Sequence, residues 1–271
     1  MNVHAKPETA ASLLREDQSG IACLTLNRPA ARNSLSEEMI GALTDAFDSI
    51  AHDAAIRAVV IAANGPAFCA GHDMKELTAR RTDADGGRAY FRHIMTICST
   101  MMQKIIGLPQ PVIAAVSGVA TAAGCQLVAT CDLAIASSEA TFATPGVEIG
   151  LFCSTPMVAL SRNVTRKAAM HMLLTGDPVT ADDAVRLGLI NRAVPAGSER
   201  DQALALARQI SSKSQYTVKI GKGAFYRQAE LSLTDAYSYA SEVMTENMMA
   251  RDAEEGICAF IEKRTPVWED R

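Results

Sequence analysis

The sequence predicts an α/β protein: a largely parallel sheet interleaved with helices, followed by a helical C-terminal region. Three observations carry this prediction. "AVVIAA" (58–63), "PVIAAVSG" (111–118) and "CDLAIAS" (131–137) are short, almost wholly apolar runs closed by turn residues, as strands buried on both faces require. Segments with apolar residues at helical spacing separate these runs, and a strand, crossover helix, strand order implies parallel pairing. From about Thr155 onwards the periodicity becomes mostly helical.

Taken in order, "SLLREDQSGIACLTLNRP" reads as two strands around a turn at Ser19 and Gly20, ending where Pro29 cannot donate to a ladder. "NSLSEEMIGALTDAFDSI" turns helical, with Ser34 and Glu37 fitting a capping box and Met39, Ile40, Leu43, Phe47 and Ile50 forming one apolar face. Asp73 is placed to cap a short helix running through Met74, Lys75, Glu76 and Leu77. "GGRAYFRHIMTICSTMMQKIIGL" repeats apolar residues from Phe91 to Ile105 at helical spacing, and Gly107 and Pro109 stop it. Further helices are expected over Arg166 to Leu174, from Thr180, and over 197–212 and 233–250.

Composition narrows the function classes. The 271 residues carry a net charge of -4 without a dense Lys/Arg block, so no nucleic-acid partner is expected. No apolar run approaches the roughly 20 residues needed to cross a bilayer, so no membrane partner is expected either. The seven cysteines are scattered with no CxxC pair, which argues against a disulfide framework and against a structural metal. A reducing compartment follows, and "MNVHAKPETAAS" has neither a secretory core nor an Arg-rich transit pattern; a cytoplasmic location is therefore expected, with residues up to about Ala11 loose. Neither GxGxxG after a strand nor GxxxxGK[ST] occurs, so nucleotide-cofactor and NTPase readings lack their motifs.

Two places present bare backbone after a buried strand. In "PAFCAGHDMKEL" the chain turns through Ala70 and Gly71, which frees the N–H of His72 to point outward. In "VSGVATAAGCQLVATC" small residues precede a helix whose first N–H groups are unpaired and carry the positive end of the helix dipole. Two such N–H groups meeting at one oxygen make an oxyanion hole, a device that stabilises charge as it develops. Taken singly, each turn is equally a place where small residues permit tight packing of helix on sheet.

"LNRPAARNSLS", "FCAGHDMKEL", "AAVSGVATAAGCQLVATCDLAIA", "TFATPGVEIGL", "LLTGDPVTADDAVRLGLINRAV" and "EEGICAFIEKRTPVW" together resemble the enoyl-CoA hydratase/isomerase family, the crotonase superfamily, over residues 12 to 268. The resemblance implies the crotonase (ClpP-like) fold: a repeated ββα spiral core over residues 12–195 and a C-terminal helical trimerisation region over 196–271. It implies an acyl- or enoyl-CoA thioester as substrate, with coenzyme A part of that substrate and no separate cofactor, and a homotrimer or homohexamer. Carried over residue by residue, it puts the two oxyanion donors on the N–H groups of His72 and Ala123. CoA contacts would fall at Ala31 and Arg32, along His72, Asp73, Met74 and Lys75, and, from a C-terminal helix of a neighbouring subunit, at Phe260 and Lys263. Lys75 and Lys263 are equally compatible with simple surface charges.

The sequence departs from the family at the acid/base positions. The family's two glutamates, in "GGGCE" and "PE" motifs, correspond here to Gln126 and to Gly146, or to Pro145 when counted back from "LSRNV". None of these exchanges a proton at neutral pH. Loss of a general acid/base costs a factor of about 100 to 10,000, so the resemblance implies atypical or weak hydration. Glu148 would share the face of Gly146 on an extended segment, or reach solvent on a turn. His72 offers either an imidazole acid/base or only its backbone. Cys153 and Ser154 lack a sequence-adjacent base, which weakens a hydrolase reading. The alternative to an enzyme is a non-catalytic acyl-CoA binding protein.

Overall fold

The computed structural model describes residues 11–271. The expected loose N-terminus, apart from its last residue, lies outside the described residues. β1 (Leu13–Gln18) and β2 (Ile21–Leu26) form the expected hairpin, its turn made by Ser19 and Gly20, both at positive φ. α1 (Glu37–Ala51) then leads to β3 (Ala58–Ala63). One sheet runs β1-β2-β3-β5-β7-β10, with β5 (Val112–Val116), β7 (Leu133–Ser137) and β10 (Arg192–Val194) all parallel to β2 and β3.

A second sheet of very short strands stands beside it: β4 (Ala67–Cys69), β6 (Val119–Thr121) and β8 (Thr141–Ala143) in parallel, closed by antiparallel β9 (Val179–Thr180). The chain adds one strand to each sheet in turn and then makes a helical crossover. After β3 and β4 come α2 (Met74–Ala79) and α3 (Arg88–Gly107); after β5 and β6 comes α4 (Ala123–Thr130). After β7 and β8 come a 3-10 turn (Pro145–Ile149) and α5 (Pro156–Asn163). The result is a ββα spiral.

Alternation along the central strands explains why they read as continuous apolar runs. Ala22, Leu24 and Leu26 of β2, with Val59 and Ile61 of β3, enter the core under α1 and α3. Their neighbours Ile21, Cys23, Ala58, Val60 and Ala62 face the opposite side, where Ala203 and Ala207 of α8 (Glu199–Ser211) pack onto the sheet. All five predicted face residues of α1 are buried. Its cap, however, is Ser36, whose hydroxyl accepts the Met39 N–H. Ser34 is not the cap because its hydroxyl is bonded to Asp73, and the N–H of Glu37 goes to the carboxylate of Glu76.

The remaining helices are α6 (Arg166–Thr175), α7 (Ala181–Leu187), α9 (Gln215–Gln228), α10 (Leu233–Met249) and α11 (Arg251–Glu262). α9 is pinned to the core by Lys222. Its Nζ donates to Ile105 O (2.9 Å), Gln110 O (3.0 Å) and Asp132 Oδ2 (2.7 Å), while Asp132 also accepts Tyr226 Oη–H and the Val112 N–H. α10 and α11 by contrast leave Leu233, Tyr237, Met244, Met249, Phe260 and Ile261 exposed. No described helix is long and apolar enough to cross a membrane.

Candidate functional site

The site grows from the carboxyl ends of three adjacent strands. Because β4, β6 and β8 are parallel, with Cys69 against Ala120 beyond a register shift after Ala67 and Thr121 against Ala143, the segments after them emerge side by side. Ligands favour this end of parallel sheets. Gly71 lies at φ +87, and a Cβ there would stand 3.0 Å from Ala122 Cβ and 3.3 Å from Ala123 N. A Cβ on Gly124 would stand 2.1 Å from Cys69 O. The start of α4 is therefore pressed against the end of β4, and both glycines are there to permit it.

The backbone of each turn is held by neighbours that leave one amide over. Leu35 N–H donates to Gly71 O (2.8 Å) and Asp73 N–H to Leu35 O (3.3 Å), so residues 71 and 73 face residue 35 and the N–H of His72 turns to the other edge. Among the described residues it has no backbone acceptor. Ala122 N–H donates to Ala143 O, and Ala122 adopts φ 50, ψ -118, a conformation that favours glycine and costs an alanine of order 1–3 kcal/mol. This strained residue caps α4 and presents Ala123 N–H as the first unpaired donor of the helix.

Side chains around these amides are starved of partners. Both ring nitrogens of His72, Oε1 of Gln126 and Oγ1 of Thr144 are buried without a hydrogen-bond partner in the protein. Gln126 is buried in the first turn of α4, not solvated on its outside. Burial pushes the His72 pKa below its ordinary value. The imidazole is neutral at pH 7. A lowered folded-state pKa means that the unfolded chain binds more protons below about pH 6.5, so His72 contributes stability above that pH and loses it as pH falls. His72→Gln is expected to flatten the fall in melting temperature between about pH 6.5 and 5, measured by thermal denaturation across that range.

The other predicted positions sort as follows. Ala31 and Arg32 flank the first turn, where Arg32 O accepts the Ala70 N–H. Met74 and Lys75 are exposed on α2. The Asp73 carboxylate is occupied by the protein itself, accepting from Arg28, Ser34 and the N–H groups of Lys75 and Glu76. Gly146 is buried on the 3-10 turn, and a Cβ there would meet Leu151 O at 2.8 Å and Cys153 Sγ at 2.9 Å. That turn carries Glu148 away from the face of Gly146: Glu148 is exposed, its Cγ beside Gly176. Cys153 is buried with its thiol pushed up by burial, and Ser154 Oγ–H donates to Phe152 O, so neither is an activated nucleophile. Phe260 and Lys263 lie exposed at the end of α11, with no hydrogen bond to the paired turns.

Sequence reasoning passed over Arg28, Asn33 and Thr144. The signal for the first two lay inside "LNRPAARNSLS": an Arg and an Asn just before a helix cap, in a segment too short of apolar residues to be core. An open recess of about 240 Å³ lies between α1, α2 and α3, lined by Glu37, Glu76, Ala79, Arg80 and Tyr90. It contains no residue of the paired turns, and its two carboxylates suit an apolar chain poorly.

Comparison with known proteins agrees with this architecture. The family model described as enoyl-CoA hydratase/isomerase matches residues 16–271. The chain is 45% identical over 265 residues to the enoyl-CoA hydratase domain-containing protein 3, mitochondrial, of Rattus norvegicus, covering 97% of this chain and 87% of that one. The human protein of the same name is 46% identical over 252 residues, covering 92% and 80%. Among solved structures, an enoyl-CoA hydratase from Mycobacterium smegmatis superposes with a TM-score of 0.90 at 52% identity, covering 95% of this chain and 98% of that one. The human domain-containing protein 3 does so with a TM-score of 0.90 at 44% identity, covering 95% and 100%.

These relatives correct one expectation. Five similar proteins from vertebrates are named as mitochondrial, which points away from a cytoplasmic location. Unpaired cysteines indicate only a reducing compartment, and the N-terminal segment weighed for a transit pattern begins outside the described residues. An α/β spiral of the crotonase type, matched from residue 16 to the last residue, leaves no ambiguity of class: the chain belongs to the enoyl-CoA hydratase/isomerase family of enzymes.

Proposed function

We propose that the protein binds an acyl- or enoyl-CoA thioester with its carbonyl oxygen between the N–H groups of His72 and Ala123, and stabilises the enolate that forms there. One observation carries this reading: the two turns approach so closely that a Cβ on Gly71 would stand 3.3 Å from Ala123 N, which brings two amides left over by their own turns near each other at the carboxyl end of a parallel sheet. Charge developing on the oxygen gains from both donors, each worth roughly 3 to 4 kcal/mol where water is excluded. Gln126 Oε1, buried and unpartnered, orients a water or a substrate hydroxyl without moving a proton.

The conventional pair of carboxylates is absent from this arrangement. Gly146 has no room for one, since even a Cβ meets the Leu151 carbonyl. Hydration of the ordinary kind is therefore slow, and proton transfer falls to a bound water or to the neutral His72. The absence of both carboxylates favours a second reading, an acyl-CoA binding protein without turnover. The exposed apolar residues of α10 and α11 support a homotrimer or homohexamer in which Phe260 and Lys263 reach a neighbouring subunit's CoA site.

Acetoacetyl-CoA tests the oxyanion reading without requiring turnover, because its enolate forms unaided and absorbs in the near ultraviolet. The bound ligand is expected to have an enolate-to-keto ratio at least about tenfold above that of free ligand at the same pH. An unchanged ratio on a saturated protein removes the two amides as an oxyanion hole. Crotonyl-CoA separates enzyme from binder: Gln126→Glu is expected to raise hydration by about 10- to 100-fold over wild type. Full family-like hydration by wild type would sink the account of the missing carboxylates.

A further inference from the structure

The two motifs "LNRPAARNSLS" and "GHDMKEL" meet through charge. Arg28 Nη2 donates to Asp73 Oδ2 at 3.1 Å, and Arg28 Nη1 donates to Ser34 O (3.1 Å) and Ser34 Oγ (3.4 Å). Ser34 Oγ–H in turn donates to Asp73 Oδ2 at 3.1 Å. The other oxygen, Oδ1, accepts the N–H groups of Lys75 (3.1 Å) and Glu76 (3.5 Å), which opens α2. The Arg28 end is itself anchored: its N–H donates to Asn33 Oδ1, and Asn33 Nδ2, fully buried, donates to Asn64 O and Ala67 O at 2.8 Å each. Ala67 is the first residue of β4. A closed circuit thus runs from the start of β4 through Asn33, Arg28 and Asp73 back to the turn that follows β4.

His72 sits inside this circuit without belonging to it. Its two neighbours are fixed, Gly71 through its carbonyl to Leu35 and Asp73 through both its N–H and its carboxylate, so the plane of the intervening peptide has little freedom left. Burial works against ionisation of Asp73, but the hydrogen bonds from Arg28, Ser34 and the two amides outweigh it and hold its carboxyl below the usual carboxylate range. The carboxylate stays charged and stays engaged.

We propose that Arg28 and Asp73 are positioning residues that fix the direction of the His72 N–H through Ser34 and the α2 cap, and that Asp73 acts on the substrate only through that amide. This inference rests on the oxyanion reading above. It gives a role to the contact between an arginine and an aspartate 45 positions apart, which stand in two of the six segments that carry the family resemblance. It also gives a buried asparagine, which touches no substrate position, a part in holding the site.

Acetoacetyl-CoA is the probe, and the enolate-to-keto ratio of bound ligand is the readout, alongside its Kd. Asp73→Asn keeps the shape and the cap oxygen while removing the charge; Arg28→Met keeps the stem while removing the guanidinium. Each is expected to lower the bound enolate-to-keto ratio about five- to tenfold while changing Kd less than about threefold, since mainly the charge-stabilising donor is displaced. Arg28→Lys is expected to restore part of the ratio. Ser34→Ala, which loses the hydroxyl's bond to Asp73 and the longer one from Arg28 and is expected to fold, should lower it about two- to threefold. Wild-type protein that binds the probe without enriching the enolate overturns the oxyanion reading and this inference with it. A wild type that enriches the enolate, with an unchanged ratio in folded Ser34→Ala and in either charge variant, overturns the positioning role alone.

Discussion

Gly124→Ala is expected to cost the protein about 3 kcal/mol and its enolate enrichment together. The added Cβ would lie 2.1 Å from Cys69 O and 2.9 Å from Cys69 Cβ, far inside contact distance and against backbone that has no rotamer to change. The first turn of α4 must then move off the end of β4. Overpacking of a rigid site typically costs 1–3 kcal/mol, and a clash with a carbonyl in a strand belongs at the top of that range or above it. Since Ala123 N–H is carried by the same turn, the displacement separates it from His72, and acetoacetyl-CoA should bind without a rise in its enolate fraction. Gly41→Ala serves as the control: a Cβ there meets nothing within 4 Å on α1, and the exchange should raise stability by about 0.5–1 kcal/mol. Urea titrations of both variants decide the matter, and a Gly124→Ala protein as stable as wild type would show that the two turns are not in contact.

Lys222→Met is expected to destabilise the fold by about 3–5 kcal/mol, the usual effect of removing one partner of a buried ion pair. Side-chain exposure is only 7% for Lys222 and 14% for Asp132, and the ammonium fills all three of its donor positions with Ile105 O, Gln110 O and Asp132 Oδ2. Burial lowers the Lys222 pKa, and the facing Asp132 offsets only part of that lowering. Methionine fills the stem but leaves a buried carboxylate facing Tyr226 and the Val112 amide alone, and leaves the Ile105 and Gln110 carbonyls without this donor. Asp132→Asn is expected to cost less, because the amide oxygen still accepts from Val112 or Lys222. Chemical denaturation at pH 7 measures both; a loss under about 1 kcal/mol for Lys222→Met would mean that water reaches the site and the pair is solvated.

The elements legible in the sequence were those whose burial repeats over a long enough stretch. β3 and β5 are apolar at every position, and β7 at all but its last, Ser137, because both faces are covered, and α1 and α3 show one stripe because one face is. β4, β6 and β8 escaped individual notice: three residues are too few to display a period, and their ladder depends on partners supplied by other turns of the spiral. The cap of α1 was misassigned because "SLS" offers two serines, and only the tertiary claim of Asp73 on Ser34 decides between them. The two small-residue turns could be found because glycine and alanine in sequence announce a close approach. Arg28, Asn33 and Lys222 could not, since a charged or amide side chain looks the same in a sequence whether it meets water or a partner 45 or 90 positions away. Glu148 shows the same limit in reverse: its direction depended on whether its segment is extended or turned, and the 3-10 turn sends it to solvent.

Ala122 carries a consequence for anyone who breeds this protein for heat tolerance. At φ 50, ψ -118 a glycine would rest where the alanine is bent, and relief of that bend outweighs the extra disorder glycine brings to the unfolded chain. A screen that rewards a high melting point alone would therefore favour the simpler residue. A screen that rewards chemistry would keep the methyl group, because it narrows the conformations open to the residue that caps α4 and carries the Ala123 amide. The two selections part company at a single side chain.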